Sequence, residues 1–115
     1  MASEDGCVFC RIVAGDVPAE VVKIGERVVA IRDVNPQAPR HALVVPREHH
    51  EDVAALAAAD PQALAELVEV ARALAESEGD GSYRLVFNSG AGAGQSVFHV
   101  HGHVLAGRPF RWPPG

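Results

Sequence analysis

Three histidines fall at alternate positions in His99-Val100-His101-Gly102-His103-Val104-Leu105. Successive side chains of an extended strand point to opposite faces. The spacing therefore predicts all three imidazoles on one face, roughly 6.5 to 7 Å apart, with Val100, Gly102 and Val104 on the other. Imidazoles so arranged suit two chemistries. A strand HxH pair can chelate zinc, with a further ligand from elsewhere and an open position for water. Alternatively, one neutral ring attacks phosphorus while its neighbours orient it and bind the oxyanion, since imidazole titrates near neutral pH and its two nitrogens can divide attack from anchoring. The upstream segment Asn88-Ser89-Gly90-Ala91-Gly92-Ala93-Gly94-Gln95-Ser96 favours the second. Glycines let backbone N–H groups turn toward a phosphate, and Gln95 and Ser96 add neutral donors beside the histidines. The loop is not a Walker A motif, because Gly-Lys-Ser/Thr is absent. A separate pair, Cys7-Val8-Phe9-Cys10, reads in a reducing compartment as a metal half-site or redox pair before a structural disulfide.

These side chains need a scaffold. Residues 8–13 form a short apolar stretch that Gly15 and Pro18 close, predicting one or two helical turns. Two β-branched runs, 21–24 and 28–33, flank Gly25-Glu26-Arg27 and predict a hairpin. Residues 35–39 hold two prolines and break the chain, and 41–46 reads as a third, largely buried strand. Asp60-Pro61 offers an N-cap followed by a first-turn proline. Leu64, Leu67, Val68, Ala71, Leu74 and Ala75 then recur at helical spacing, so one long amphipathic helix is expected over 60–78. A fourth strand is expected over 83–88 and a fifth, carrying the histidines, over 97–105. The sum is an α+β domain: a five-stranded antiparallel sheet with one long helix and a short N-terminal helix.

At 115 residues the chain is one domain, 1–115, with 1–6 expected as a flexible N-terminus. A net charge of -5 with scattered Lys and Arg argues against nucleic acid as a partner. Apolar runs are short and the first residues are polar and acidic, so no membrane partner is expected and the location is expected to be cytoplasmic. The tail over 108–115 holds the only Trp and three of the eight prolines, and cannot be helix or central strand. Phe110 and Trp112 need a docking surface, and a second copy of the chain is the expected one.

Several motifs together resemble the histidine triad superfamily, specifically its Hint branch. They are Cys-Val-Phe-Cys-Arg-Ile at 7–12, Asp-Val-Asn-Pro-Gln-Ala-Pro-Arg-His-Ala-Leu-Val-Val-Pro at 33–46, Gly-Gln-Ser-Val-Phe-His-Val-His-Gly-His-Val-Leu at 94–105, and the closing Trp-Pro-Pro-Gly. The resemblance spans essentially the whole chain. It implies a homodimer with the sheet continued across the two-fold, the 108–115 tail docked at that interface, and one nucleotide site per subunit. It further implies a hydrolase of purine nucleoside 5'-phosphoramidates, acting through a nucleotidyl intermediate on His101 and releasing the nucleoside monophosphate. His41, His99 and His103 match supporting histidines, and Ser96 matches the position beside the leaving amine. Gly94, Gln95, Ser96 and Val97 match the phosphate-holding segment. Asp33 and Val34 match the ribose position, Asn88 joins the same pocket, and Val8, Phe9, Ile12, Ile31 and Leu43 match the purine-sandwiching wall. One position departs from the pattern: Gly102 stands where a hydrophobic residue separates the second and third histidines.

The same resemblance places Cys7, Cys10, His49 and His99 where some relatives hold a structural zinc, while no cofactor is expected for catalysis itself. A ligand role for His99 would compete with its orienting role. Two rival functions stand beside the phosphoramidase: hydrolysis of dinucleoside polyphosphates, and a nucleotide-binding scaffold whose hydrolysis is incidental.

Overall fold

The computed structural model describes residues 6–115. The expected flexible N-terminus lies outside them apart from Gly6, an exposed turn residue. Helix α1 (Val8–Val13) precedes the hairpin β1 (Val21–Ile24) and β2 (Val28–Arg32), then β3 (Arg40–Pro46), α2 (Val53–Ala59), α3 (Pro61–Glu78), β4 (Arg84–Val86), a 3-10 turn (Ala91–Ala93) and β5 (Gly102–Ala106). The sheet order is β1-β2-β3-β5-β4, antiparallel throughout. Among the described residues, no helix is long and apolar enough to cross a membrane.

Both faces of the central strands are covered, which is why β2 and β3 read as continuous apolar runs. Val28, Ala30, Ala42, Val44, Val100 and Val104 face α2 and α3, packing with Leu56, Ala63, Leu67, Val70, Ala71 and Leu74. Val29, Ile31, Leu43 and Val45 face the other way and pack with Phe9 of α1. Small residues on α3 let it sit close to the sheet. Asp60 caps it as expected, accepting from Ala63 N at 3.1 Å. The buried stripe is rotated from the predicted one: Ala63 and Val70 are inside, whereas Val68 is 41% exposed. At its end Glu78 forms a two-pronged ion pair with Arg32, which holds the Glu78 carboxyl below its ordinary range. From the middle of α3, Glu66 accepts from Arg27 N (2.8 Å) and Val28 N (3.1 Å), pinning the β1–β2 turn.

Three expectations are corrected. Helix α2 was not foreseen; Asp52 caps it by accepting from Ala55 N at 2.9 Å. The histidine strand is also shorter than 97–105, since β5 begins at Gly102 and only His103 lies within the ladder. Its partner β3 ends at Pro46, which has no N–H to extend the pairing. The Pro46 carbonyl accepts from the His99 ring instead, and Val100 N donates to His50 O. Strand β4 likewise covers three residues rather than 83–88.

Candidate active site and metal centre

Although 99–101 leaves the ladder, the alternation of faces survives. Val100 and Val104 enter the core against the helices. The His101 ring, on the opposite face, lies between Phe9 (centroids 4.9 Å apart) and His103 (5.1 Å). His101 Nδ1 is 2.8 Å from the carbonyl oxygen of His99. A carbonyl can only accept, so Nδ1 carries the proton and Nε2 of the neutral ring keeps its lone pair. In its neutral form the ring thus has one nitrogen anchored and the other open, the arrangement that an attacking imidazole requires.

His103 on β5 and His41 on β3 are cross-strand neighbours, with Leu43 opposite His103 and His41 opposite Leu105. His41 Nδ1 accepts from Gln37 N at 2.9 Å, so the hydrogen of neutral His41 is on Nε2. That hydrogen lies between His103 Nδ1 (3.0 Å) and Asp33 Oδ2 (3.3 Å). His103 Nδ1 is then an acceptor, and His103 Nε2–H is left as a donor. Burial is the main cause that lowers the pKa of both rings, with Asp33 opposing it. For His103, the neighbouring His101 and His41 add to the effect and the value falls to about 4. Both rings are therefore neutral at pH 7, which is the state the hydrogen-bond chain requires. The Gln37 N–H sets the tautomer along this hydrogen-bond chain, and nothing in the residue pattern beyond a proline-bounded loop points to it.

Asp33 is engaged on both oxygens: Oδ1 accepts from Asn35 N at 2.8 Å, and Oδ2 faces His41. With His41, His103 and Asn88 it lines a cavity of about 410 Å³ that also takes in Arg84, Arg108 and Phe110. Ser96 is exposed and lines a second cavity of about 390 Å³ with Cys7, Val8, His49, Val97 and Phe98. Gln95 is buried and spent on the loop. Its Nε2 donates to Glu51 O (2.8 Å) and Val97 O (3.1 Å), and its Oε1 accepts from Gly90 N (2.8 Å). The expectation of Gln95 as a side-chain donor to phosphate is corrected on this ground: it shapes the loop that Gly94, left-handed at φ 94, turns toward Ser96. Phe9 of α1 packs in the core with Ile31 and Leu43 of the sheet, with Ile12 and Val97 at their edge. Val8 is 38% exposed. Val34, expected beside Asp33 at the ribose position, is fully exposed.

The tail meets its own chain. Phe110 lies 4.3 Å from the Arg108 guanidinium and 5.3 Å from that of Arg84, and Arg84 Nη2 donates to Arg111 O at 3.0 Å. Trp112 stays 82% exposed. The docking surface expected on a second copy is thus, for Phe110, found within the same chain.

At the other end of the triplet, Cys7, Cys10, His49 and His99 converge, one donor atom from each lying within 4.8 Å of the rest. Both sulfurs are 3.4 Å from His99 Nδ1, and Cys10 Sγ is 3.4 Å from His49 Nδ1. Tetrahedral zinc with sulfur and nitrogen ligands requires donor separations of roughly 3.3 to 3.8 Å. The residues fit that ion, and they form a candidate structural zinc site. The feared competition at His99 does not arise. Its Nε2–H donates to Pro46 O at 2.8 Å, its Nδ1 faces the sulfurs, and it orients His101 through its backbone carbonyl rather than its ring. A zinc ion there would tie α1 to the end of β3 and to the histidine segment.

A family model described as the HIT domain matches residues 14–110. The crystal structure of a HIT family hydrolase from Legionella pneumophila Philadelphia 1 superposes with a TM-score of 0.90 at 43% identity, covering 96% of this chain and 100% of that one. The 14 kDa zinc-binding protein of Zea mays is 41% identical over 112 residues, 94% of this chain and 87% of that protein. A Zn-bound histidine triad family protein from Mycobacterium smegmatis has a TM-score of 0.76 at 35% identity, covering 90% of this chain and 76% of that one.

Proposed function

The chain belongs to the HIT domain family, and we propose that it is a hydrolase that cleaves the P–N bond of purine nucleoside 5'-phosphoramidates through a covalent nucleotidyl intermediate on His101. The single observation that carries this is the His101 Nδ1 contact to His99 O at 2.8 Å, which leaves Nε2 as the free lone pair. In the proposed route Nε2 attacks the α-phosphorus, the P–N bond breaks, and the leaving nitrogen takes up a proton from water to depart as the amine. His103 Nε2–H donates to a phosphate oxygen, and the Ser96 hydroxyl stands on the leaving-group side. Water then attacks the nucleotidyl-histidine and releases the nucleoside monophosphate. Asp33 and Asn88 line the cavity where the ribose would lie. The zinc site supplies no step; when filled, it would stiffen the segment whose carbonyl holds His101.

A homodimer is part of this reading. The short β4 leaves an outer sheet edge, and Val68 and Trp112 are apolar and exposed. Side-by-side turnover of adenosine phosphoramidate and a diadenosine polyphosphate tests the substrate: faster cleavage of the phosphoramidate is expected. Preference for the polyphosphate would move the reading to dinucleoside polyphosphate hydrolysis, and binding without turnover of either would leave a nucleotide-binding scaffold.

A further inference from the structure

Cys7 and Cys10 occupy the first turn of α1, Cys7 as its N-cap with Sγ accepting from Cys10 N at 3.4 Å. Side chains three apart on a helical turn are neighbours, a separation that a disulfide can span. Both sulfurs already converge on one nitrogen, His99 Nδ1, at 3.4 Å. Access is unequal. Cys7 is half-buried and opens on the 390 Å³ cavity beside Ser96, whereas Cys10 is 4% exposed. One sulfur can be reached from solvent and the other sits behind it, the arrangement of an attacking and a resolving thiol.

We infer that Cys7 and Cys10 form an oxidation site for hydrogen peroxide, and that closing their disulfide unseats the anchor of His101. The Cys7 sulfur attacks one peroxide oxygen, the O–O bond breaks, and a sulfenic acid forms while the second oxygen leaves as hydroxide. The Cys10 sulfur then attacks Cys7 Sγ. The S–S bond forms as the S–OH bond breaks, and the two hydroxides take up protons to become water. Two electrons pass from the sulfurs to peroxide. A disulfide offers no thiolate, so any zinc that the four residues hold is released. His99 is fully buried, and its Nδ1 then loses the sulfurs it faces, which costs a buried acceptor its partners. Its carbonyl is the group that fixes His101 Nδ1, so the change reaches the site through the backbone.

The test needs no turnover and is independent of the proposed reaction. The reduced full-length protein, zinc-loaded, is treated with one molar equivalent of hydrogen peroxide. Thiols, zinc released to a chromogenic chelator, and the imidazole signals in long-range proton–nitrogen NMR are followed together. The expected result is loss of both thiols, a Cys7–Cys10 linked peptide, zinc release in step, displaced His99 and His101 ring signals with His41 unmoved, and reversal by dithiothreitol. In Cys7→Ser the remaining thiol should survive the same dose. Zinc-free protein should form the same disulfide. The inference is overturned if both thiols persist, if oxygen adds to one cysteine without a disulfide, if Cys10 reacts as fast in Cys7→Ser, or if the disulfide forms and the His99 and His101 signals stay where they were.

Discussion

Gly102 stands where the histidine triad pattern has a hydrophobic residue, and restoring a side chain there should harm the protein. A Cβ at 102 would lie 3.0 Å from Leu67 Cδ2, 3.1 Å from Leu85 Cδ1 and 3.2 Å from Phe87 Cε1. Leu67 is fully buried, so it has nowhere to retreat. Replacing a strand glycine by alanine gains about 0.5 to 1 kcal/mol from the backbone, whereas overpacking a tight core costs about 1 to 3 kcal/mol. The second effect wins: Gly102→Ala should lose about 1 kcal/mol in urea denaturation at unchanged m-value. Gly102→Leu should lose roughly 3 kcal/mol or more. Leu67→Ala, itself costly by about 2 to 5 kcal/mol, should recover part of the Gly102→Leu loss, because the two side chains compete for one space. Gly102→Leu as stable as the parent would mean that the space at 102 is not closed, and additive losses in the double variant would show that Leu67 is not the residue in the way.

Further outcomes are expected elsewhere. Because the His103 pKa is lowered from 6.5 to about 4, the unfolded chain binds a proton that the folded chain refuses between those values, so stability is lost as pH falls through that window. With the side chain only 21% exposed, the loss from this residue is roughly 3 kcal/mol at most. His103→Asn should flatten the slope of urea stability between pH 6.5 and 4, and an unchanged slope would contradict the buried neutral ring. Elemental analysis of protein purified without chelator should approach one zinc per chain, and turnover should survive zinc removal if the fold does. Loss and return of activity in step with zinc would favour a metallohydrolase instead. Deleting 111–115 should leave a dimer by light scattering yet change the kcat/KM ratio between bulky and small leaving groups by about ten-fold. A monomer would place the main interface in the tail.

The sequence was most informative where a residue type forces one geometry. Alternating histidines, the β-branched runs around Gly25-Glu26-Arg27, and Asp60-Pro61 before an apolar helical stripe led directly to the triplet, the hairpin and α3. Helix α2 was hidden because its seven residues, mostly alanine, bury only Leu56 and carry no periodic signal. Pro46 ended the ladder early through a missing N–H that the strand pattern did not weigh. Hydrogen-bond direction was least legible. That Gln95 is consumed by its own loop, that Gln37 N sets the His41 tautomer, and that His99 serves both the cysteines and His101 depend on contacts between distant segments.

If His101 is the nucleophile, its Nε2 becomes covalently joined to the nucleotide during turnover. Rapid acid-free quenching of the wild-type enzyme during turnover of adenosine phosphoramidate, followed by peptide mass spectrometry, tests it most directly. The expected result is an adenylyl adduct on the peptide containing His101, attached at Nε2, together with loss of turnover by several orders of magnitude in His101→Ala while nucleotide binding persists. Turnover in His101→Ala at the wild-type rate, or full wild-type turnover with the adduct on another residue, would contradict it.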